Sequence, residues 1–385
     1  MRIVDVCAFY SPWGGGVRTY VDAKLRSAAR LGHEIIVLAP SDQAQVREVA
    51  PGGLLAGIPA PTMPFDRRYR YFNDAGRLHR ELDRWRPDHV ECSSPWSSAS
   101  AVARWRGSAT RSLFMHSDPM AAYAYRWFGF LNPGIIDGIF SRFWDHMRFL
   151  GRSFDAVVSP GRELAERLKQ RGLTNVSTIP LGVDGSFSPA RRDPVLREAL
   201  LRELGLSSSA TLLLSVGRLA PEKRPDLIVK AVSDAASAGE LGLVVVGEGS
   251  MGKKLERLAA SSGRVGFLGH ISDRNLLARL MASADGLIHA CEAETFGLVL
   301  AEALASGTPV IVPDRGGAFE QLRPGAGLHY PAGSRADLAQ AIMTFVGQRS
   351  AEGRCVWPLG SPRLMDDHFR ELFGLYSGFS SAEAA

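Results

Sequence analysis

The chain has 385 residues, 45% hydrophobic and 22% charged, the composition of an ordinary globular protein with apolar material for two domains. Its 45 basic and 40 acidic side chains leave a net charge of +5, too little for a charge-driven disordered tail or a histone-like binder. The excess is uneven, because residues 1–185 carry 24 basic and 18 acidic groups and residues 186–385 carry 21 and 22. No run of about 18 apolar residues is present to span a bilayer. Cys7, Cys92, Cys291 and Cys355 are far apart and form no CxxC pair. They read as reduced, mostly buried thiols of a cytosolic protein, not as a disulfide framework or a zinc site.

In chain order, Met1-Arg2-Ile3-Val4-Asp5-Val6 reads as a first strand and not as a secretory leader. A strand over 3–9 precedes Gly14-Gly15-Gly16, and a helical pattern over 17–31 ends at Gly32. Strands are predicted at 34–38, 89–91, 112–115 and 156–158, with helices at 71–85, 97–105, 135–149 and 162–171. The second half repeats the alternation, with strands at 211–216, 243–246, 265–268, 286–288 and 309–312. Its helices are predicted at 225–236, 251–260, 273–282 and 298–305. A boundary is expected near 184–193, where Ser186–Arg192 is mostly polar and contains Pro189. The last helical pattern covers 365–376, and the small residues of 380–385 are expected to fray. This alternation predicts two doubly wound parallel α/β domains facing a cleft, with ligands at the carboxyl ends of the strands.

The loops after strands therefore carry the candidates. Gly14-Gly15-Gly16 fits either a tight turn or backbone contact with a phosphate at a helix N-terminus. Gly217-Arg218 to Glu222-Lys223 follows an apolar strand. Its two cations suit a diphosphate, and the plain alternative is a solvated loop with Glu222 pairing one of them. Gly247-Glu248-Gly249 reads as a tight turn that shapes the site. Glu294 to Glu302 frames a helix over 298–305 that stops at Gly307. Glu302 sits among apolar neighbours and needs a partner. Gly297 in a first turn costs about 1 kcal/mol against Ala, and a phosphate on the N–H groups of Gly297 and Leu298 gives one reason for it. Glu302 lies about 7–8 Å further along that axis, and a carboxylate suits the two hydroxyls of a ribose. His116 follows a strand and is either structural or catalytic.

Together, Glu294…Glu302, Gly217-Arg218…Glu222-Lys223, Gly247-Glu248-Gly249 and Pro180-Leu181-Gly182-Val183-Asp184 resemble the retaining glycosyltransferases of family 4. The resemblance covers most of the chain. It implies the two-Rossmann GT-B fold, an acceptor domain at 1–185, a donor domain at 186–362, and a segment at 363–385 crossing back to the first domain. Arg218 and Lys223 are implied to hold the donor diphosphate, with help from the Gly297-Leu298 backbone and from Gly15 and Gly16. Glu302 is implied at the ribose, Glu294 at the sugar hydroxyls, His116 at the reacting face, and His270 and Ile271 at the base. Phe296 and Gly247 complete the implied donor site. His116, Glu294, Arg218 and Lys223 are the implied catalytic group. No metal and no other cofactor are implied.

The expected reaction moves a hexosyl group, from a UDP-glucose or GDP-mannose type of donor, to a hydroxyl of a lipid or saccharide. The alternatives are a nucleotide-sugar epimerase of the same fold and a silent nucleotide-sugar-binding partner. Nucleic-acid binding is not expected, because the basic motifs form a phosphate pocket and not an aromatic-interleaved stripe. The basic excess of the first half centres on Arg67, Arg68 and Arg70, with Arg77, Arg80, Arg84 and Arg86 following. It fits either a solvated amphipathic helix or peripheral contact with an anionic membrane from the cytoplasmic side.

Overall fold

The computed structural model describes residues 1–11, 15–64, 69–260, 263–352 and 362–382. Gly14, Arg67, Arg68 and Cys355 lie outside the described residues. The chain divides into two compact units, Met1–Pro180 with Met365–Ala385, and Leu181–Leu364.

The first unit is built on an eight-stranded sheet in the order β3-β4-β2-β1-β5-β6-β7-β8. Its strands are β1 (Arg2–Val6), β2 (Glu34–Ser41), β3 (Gln45–Ala50), β4 (Gly53–Pro59), β5 (His89–Cys92), β6 (Thr110–Phe114), β7 (Ala156–Ser159) and β8 (Val176–Thr178). All neighbours are parallel except β3 and β4. Parallel strands covered on both faces need continuous apolar runs, and Ile35–Ala39 of β2 are buried throughout. The helices are α1 (Gly16–Ser27), α2 (Ala75–Trp85), α3 (Ser97–Arg104), α4 (Tyr125–Trp127), α5 (Pro133–Ile139), α6 (Ser141–Ser153) and α7 (Arg162–Gln170). Asp74 caps α2 by accepting from the Arg77 N–H, and α2 turns Leu78 and Leu82 into the core. The expected helix over 135–149 is instead two, α5 and α6, which meet at Phe140.

The second unit is built on a six-stranded, wholly parallel sheet in the order β11-β10-β9-β12-β13-β14. It runs α8 (Pro194–Glu203), β9 (Thr211–Val216), α9 (Pro225–Asp234), β10 (Leu241–Val246), α10 (Gly252–Ala259), β11 (Val265–Phe267), α11 (Arg274–Ser283), β12 (Gly286–Ile288), α12 (Leu298–Ala305), β13 (Val310–Pro313), α13 (Gly316–Glu320), β14 (Gly327–Tyr330) and α14 (Arg335–Glu352). Two apolar clusters cover the faces of the sheet, one around Leu212, Val244 and Leu300 and the other around Leu213, Val245 and Ile342.

The last helix, α15 (Met365–Ala382), belongs to the first unit. It packs Phe369, Phe373 and Tyr376 fully inward. Beneath it lies a wholly buried ionic knot. Lys24 of α1 reaches Asp5 of β1 at 2.9 Å and Glu91 of β5 at 2.5 Å. Ser93 donates to Asp5 at 2.7 Å, and the Tyr376 hydroxyl donates to Glu91 at 2.8 Å. Burial opposes the Lys24 charge, but the two carboxylates raise its pKa above the ordinary value. The Tyr376 ring also stacks on His89 at 3.8 Å.

Truncating the cation leaves two buried carboxylates uncompensated. Lys24→Met is therefore expected to cost about 3–5 kcal/mol, read as a lowered midpoint of urea unfolding. Tyr376→Phe removes one hydrogen bond to a charged group, worth about 1.5–3 kcal/mol, and is expected to speed amide exchange first along 365–376. Unchanged exchange there means that the knot does not fasten α15.

Candidate functional site

In the second unit, parallel pairing brings the ends of β9, β12 and β13 to one edge of the sheet. From β9 the chain enters Gly217-Arg218 and a short turn, Pro221–Lys223. Gly247, after β10, has φ 138°, and a Cβ there stands 1.9 Å from the Gly217 carbonyl oxygen. No other residue permits this approach. The contact is extended by Leu219 N–H donating to the Glu248 carbonyl at 2.9 Å. The Gly247-Glu248-Gly249 turn thus supports the loop that carries Arg218 and Lys223.

Arg218 is exposed and pairs with Glu222 at 3.0 Å. Lys223 turns the other way and meets Glu294 Oε1 at 2.5 Å, although 71 residues separate them. His289 Nε2 lies 3.3 Å from the same oxygen. Burial alone raises the Glu294 pKa, but Lys223 and His289 hold the carboxyl well below the usual range. Lys223 is pushed up in turn, with burial opposing the charge and Glu294 overriding it. Both groups are ionised at every physiological pH. The segment from Glu292 to Gly297 is held by the β13–α13 turn, where Gly317 N–H donates to the Glu294 carbonyl at 2.7 Å. Gln321 Nε2 also donates to the Phe296 carbonyl at 3.1 Å.

Gly297 is not in the first turn of α12, as the sequence led us to expect. It is the N-cap, in the left-handed region at φ 80°. Its glycine is explained by that backbone geometry, and the helix-interior cost does not apply. The N–H groups of Leu298 and Val299 open the helix and have no partner within it, whereas those of Leu300 and Ala301 already donate to the Gly297 carbonyl. One turn further, Glu302 is 3% exposed. The partner its burial demands is Arg274 of α11, whose Nη2 lies 2.5 Å from Oε1. Arg274 itself lies over the Phe187 ring at 4.6 Å. Burial raises the Glu302 pKa, with Arg274 opposing. His270 N–H lies 3.4 Å from Glu248 Oε1, and Ile271 packs at the margin of the core.

In the first unit, Gly15 is the N-cap of α1, and among the described residues no atom beyond the chain neighbours lies within 4 Å of where a Cβ stands on Gly15 or Gly16. Packing against the described residues does not require glycine at either place. His116 follows β6 against Tyr20 at 4.8 Å and Phe114 at 4.6 Å. Burial first, and Lys24 second, lower its pKa to about 3. The imidazole is therefore neutral.

Sequence reasoning did not find His289, Arg274, or the ion pair of Arg224 with Glu292. His289 directly follows a predicted strand and was within reach of the strand-end rule, whereas Arg274 is a helix residue whose role shows only across α11 and α12. His289, Cys291 and Glu294 each bring a ligand atom within 4.8 Å of the others. This spacing fits a metal, but Lys223 already serves the carboxylate as its cation. Burial also pushes the Cys291 thiol up to about 11, far from the thiolate a metal takes.

Comparison with known proteins fits this geometry. Residues 14–187 match the family described as Glycosyltransferase Family 4, and residues 197–355 match that described as Glycosyl transferases group 1. The chain is 32% identical over 352 residues to a GDP-mannose-dependent alpha-(1-6)-phosphatidylinositol dimannoside mannosyltransferase of Mycobacterium tuberculosis, covering 90% of this chain and 88% of that protein. It is 30% identical to a GDP-mannose-dependent alpha-mannosyltransferase of the same species, covering 97% of each. A glycosyltransferase structure from Rickettsia africae shares the fold, with a TM-score of 0.67, 18% identity, and coverage of 98% of this chain and 97% of that one. With these likenesses added to two parallel-sheet units of the GT-B type, the chain belongs to glycosyltransferase family 4 and is a retaining hexosyltransferase that uses a nucleotide-sugar donor.

Proposed function

We propose that the chain transfers mannose from GDP-mannose to a hydroxyl of a glycolipid, from the cytoplasmic side of a membrane. The observation that carries the site is the ionised Lys223–Glu294 pair at the strand ends, beside the N-terminus of α12. The mannosyltransferase names of the similar proteins support the donor and the acceptor class. Buried thiols at Cys7, Cys92 and Cys291 agree with a reducing compartment. Among the described residues, no helix is long and apolar enough to cross a membrane.

In this reading Arg218 and Lys223 receive the diphosphate, and Leu298 and its neighbours add helix N–H groups. As the bond from the sugar C1 to phosphate breaks, its electron pair moves to the phosphate oxygen, and these fixed cations stabilise the charge that develops. The acceptor oxygen attacks C1 on the same face and passes its proton to the departing phosphate. Glu294, kept ionised, accepts from sugar hydroxyls. Glu302 accepts from the ribose, with Arg274 fixing its direction. Gly247, Phe296, His270 and Ile271 shape the base and phosphate site. Within the first unit, the open backbone at Gly15 and Gly16 suits phosphate contact. The neutral His116 is suited to a hydrogen bond with the sugar and not to carrying positive charge.

Of Arg67, Arg68 and Arg70, the arginines expected to meet an anionic membrane, Arg70 is described. The Arg70 guanidinium donates to the Ala60 carbonyl at 2.6 Å, and the apolar face of α2 is turned inward.

Two outcomes test the site. Arg218→Ala is expected to lower kcat by about 100-fold or more while the melting temperature stays near wild type, and Lys223→Met is expected to lower kcat at least as much with a fall in melting temperature, because Glu294 loses its cation. Near-normal transfer of mannose from GDP-mannose by both variants removes the proposal. The second concerns pH. Burial raises the Glu302 pKa, and a carboxyl with a raised pKa takes up its proton at milder acidity, so GDP binding to the wild type is expected to weaken as the pH is lowered from neutral toward the ordinary carboxylate range. In Glu302→Gln, binding is expected to be weak and independent of pH over the same range, as read by calorimetry.

A further inference from the structure

The first unit leaves a set of large apolar side chains in solvent along one stretch of chain. Tyr123, Trp127, Phe130, Ile135 and Ile139 are 51%, 64%, 81%, 55% and 57% exposed. Scattered exposed apolar residues need no explanation, but a concentration within one segment does. Tyr123 and Trp127 are four residues apart, and their rings lie 5.4 Å from each other. Ile135 and Ile139 share the outer face of α5, while Ile136 faces the core. Phe128 links the set by meeting Phe130 at 6.4 Å and Phe140 at 6.0 Å.

The backbone beneath is firmly fastened. Asp137, 4% exposed, accepts from Tyr125 at 2.6 Å and Trp144 at 3.0 Å and pairs with Arg171. Asp118 pairs with Arg167. These bonds tie α4, α5, α6 and α7 together with the apolar side chains pointing outward.

Charge selects the occupant. From residue 119 to residue 144, Asp137 is the sole carboxylate in the sequence, and it is buried. Arg126 and Arg142 lie in the same stretch. Trp, Tyr and Phe with Arg, and no exposed acid, match the interface of an anionic bilayer. A second copy of the chain fits less well, because a self-complementary contact sets these arginines against each other with no carboxylate to meet them.

We infer that the ridge formed by Tyr123, Trp127, Phe130, Ile135 and Ile139 seats the first unit in the surface of an anionic phospholipid membrane. The ridge stands on its own geometry, while its purpose rests on the proposed glycolipid acceptor.

The test is co-sedimentation of the full chain with vesicles of phosphatidylcholine mixed with phosphatidylglycerol, set against phosphatidylcholine alone. The wild type is expected to bind the anionic vesicles at least about tenfold better. Trp127→Ser and Phe130→Ser are each expected to lower that binding about tenfold. The double variant Arg126→Gln, Arg142→Gln is expected to lower it by a similar factor, with the salt dependence reduced. Thermal stabilisation by GDP-mannose is expected to be unchanged in all three, which separates failure of the ridge from failure of the donor reading. Phe130→Ser keeps the test open if Trp127→Ser folds poorly. The inference is overturned if the wild type ignores anionic vesicles or the variants bind them normally. It is also overturned if the wild type is a dimer that Phe130→Ser dissolves without any effect on vesicle binding.

Discussion

Parallel pairing is the constraint on which the site depends. Every strand of the six-stranded sheet runs the same way, so β9, β12 and β13 end at one edge. Residues far apart in sequence are delivered there without long-range design of the loops. Lys223 and Glu294 meet because β9 and β12 are direct neighbours. The glycine contact between Gly217 and Gly247 is the same effect one strand away, since β9 also pairs with β10. The chemistry lies in short turns whose positions the sheet has already fixed.

The two units use ion pairs for opposite ends. In the first, Lys24, Asp5 and Glu91 are wholly buried, and every charge is met by another charge or a hydroxyl. Such a group gives little net stability over an apolar core but is costly to leave incomplete. Because its members come from α1, β1, β5 and α15, it specifies where the last helix packs. In the second, Lys223 and Glu294 are 25% and 18% exposed at the side chain, and Arg218 is more open still. A diphosphate can compete for cations that are only partly withdrawn from water. It cannot reach Lys24.

The alternation of strand and helix, and the loops that matter, were legible in the sequence because apolar strand runs and glycine-bearing turns are local signals. The edge strands β3, β8 and β14 were not, nor was β4 beside β3, whereas the edge strand β11 was. β3 is exposed along most of its length and carries Arg47 and Glu48, so it lacks the apolar run that marks a buried parallel strand. α8 starts with Asp193 as cap and Pro194 in its first turn, a start signal at the end of the stretch read as the boundary between domains. α14 buries small residues such as Ala339 and Ala341 beside Ile342 and Phe345, so its stripe is blurred. At the site, a charged residue in an apolar helix announced that Glu302 needs a partner. The identity of Arg274 required the packing of α11 on α12. Gly297 was noticed for the right residue and the wrong position, since pattern alone does not separate an N-cap from a first turn.

The two glutamates that frame α12 show how one short motif yields two chemical behaviours. Both are carboxylates drawn out of water, and burial opposes ionisation of each. Glu294 has an ammonium at 2.5 Å and an imidazole at 3.3 Å on the same oxygen, and these outweigh the burial. Glu302 has a single guanidinium, already shared with the face of Phe187, and burial prevails. Environments that push like groups apart assign them different tasks. A permanently charged Glu294 suits the end of the site where the positive character of a departing sugar develops. A carboxylate with a raised pKa suits the ribose end, where it has only to accept hydrogen bonds from neutral hydroxyls. The same polarity runs along α12, since the helix N-terminus favours the negative diphosphate between them. In the proposed reading, the order of charge along this edge, and not any single residue, sets the direction in which a nucleotide sugar fits.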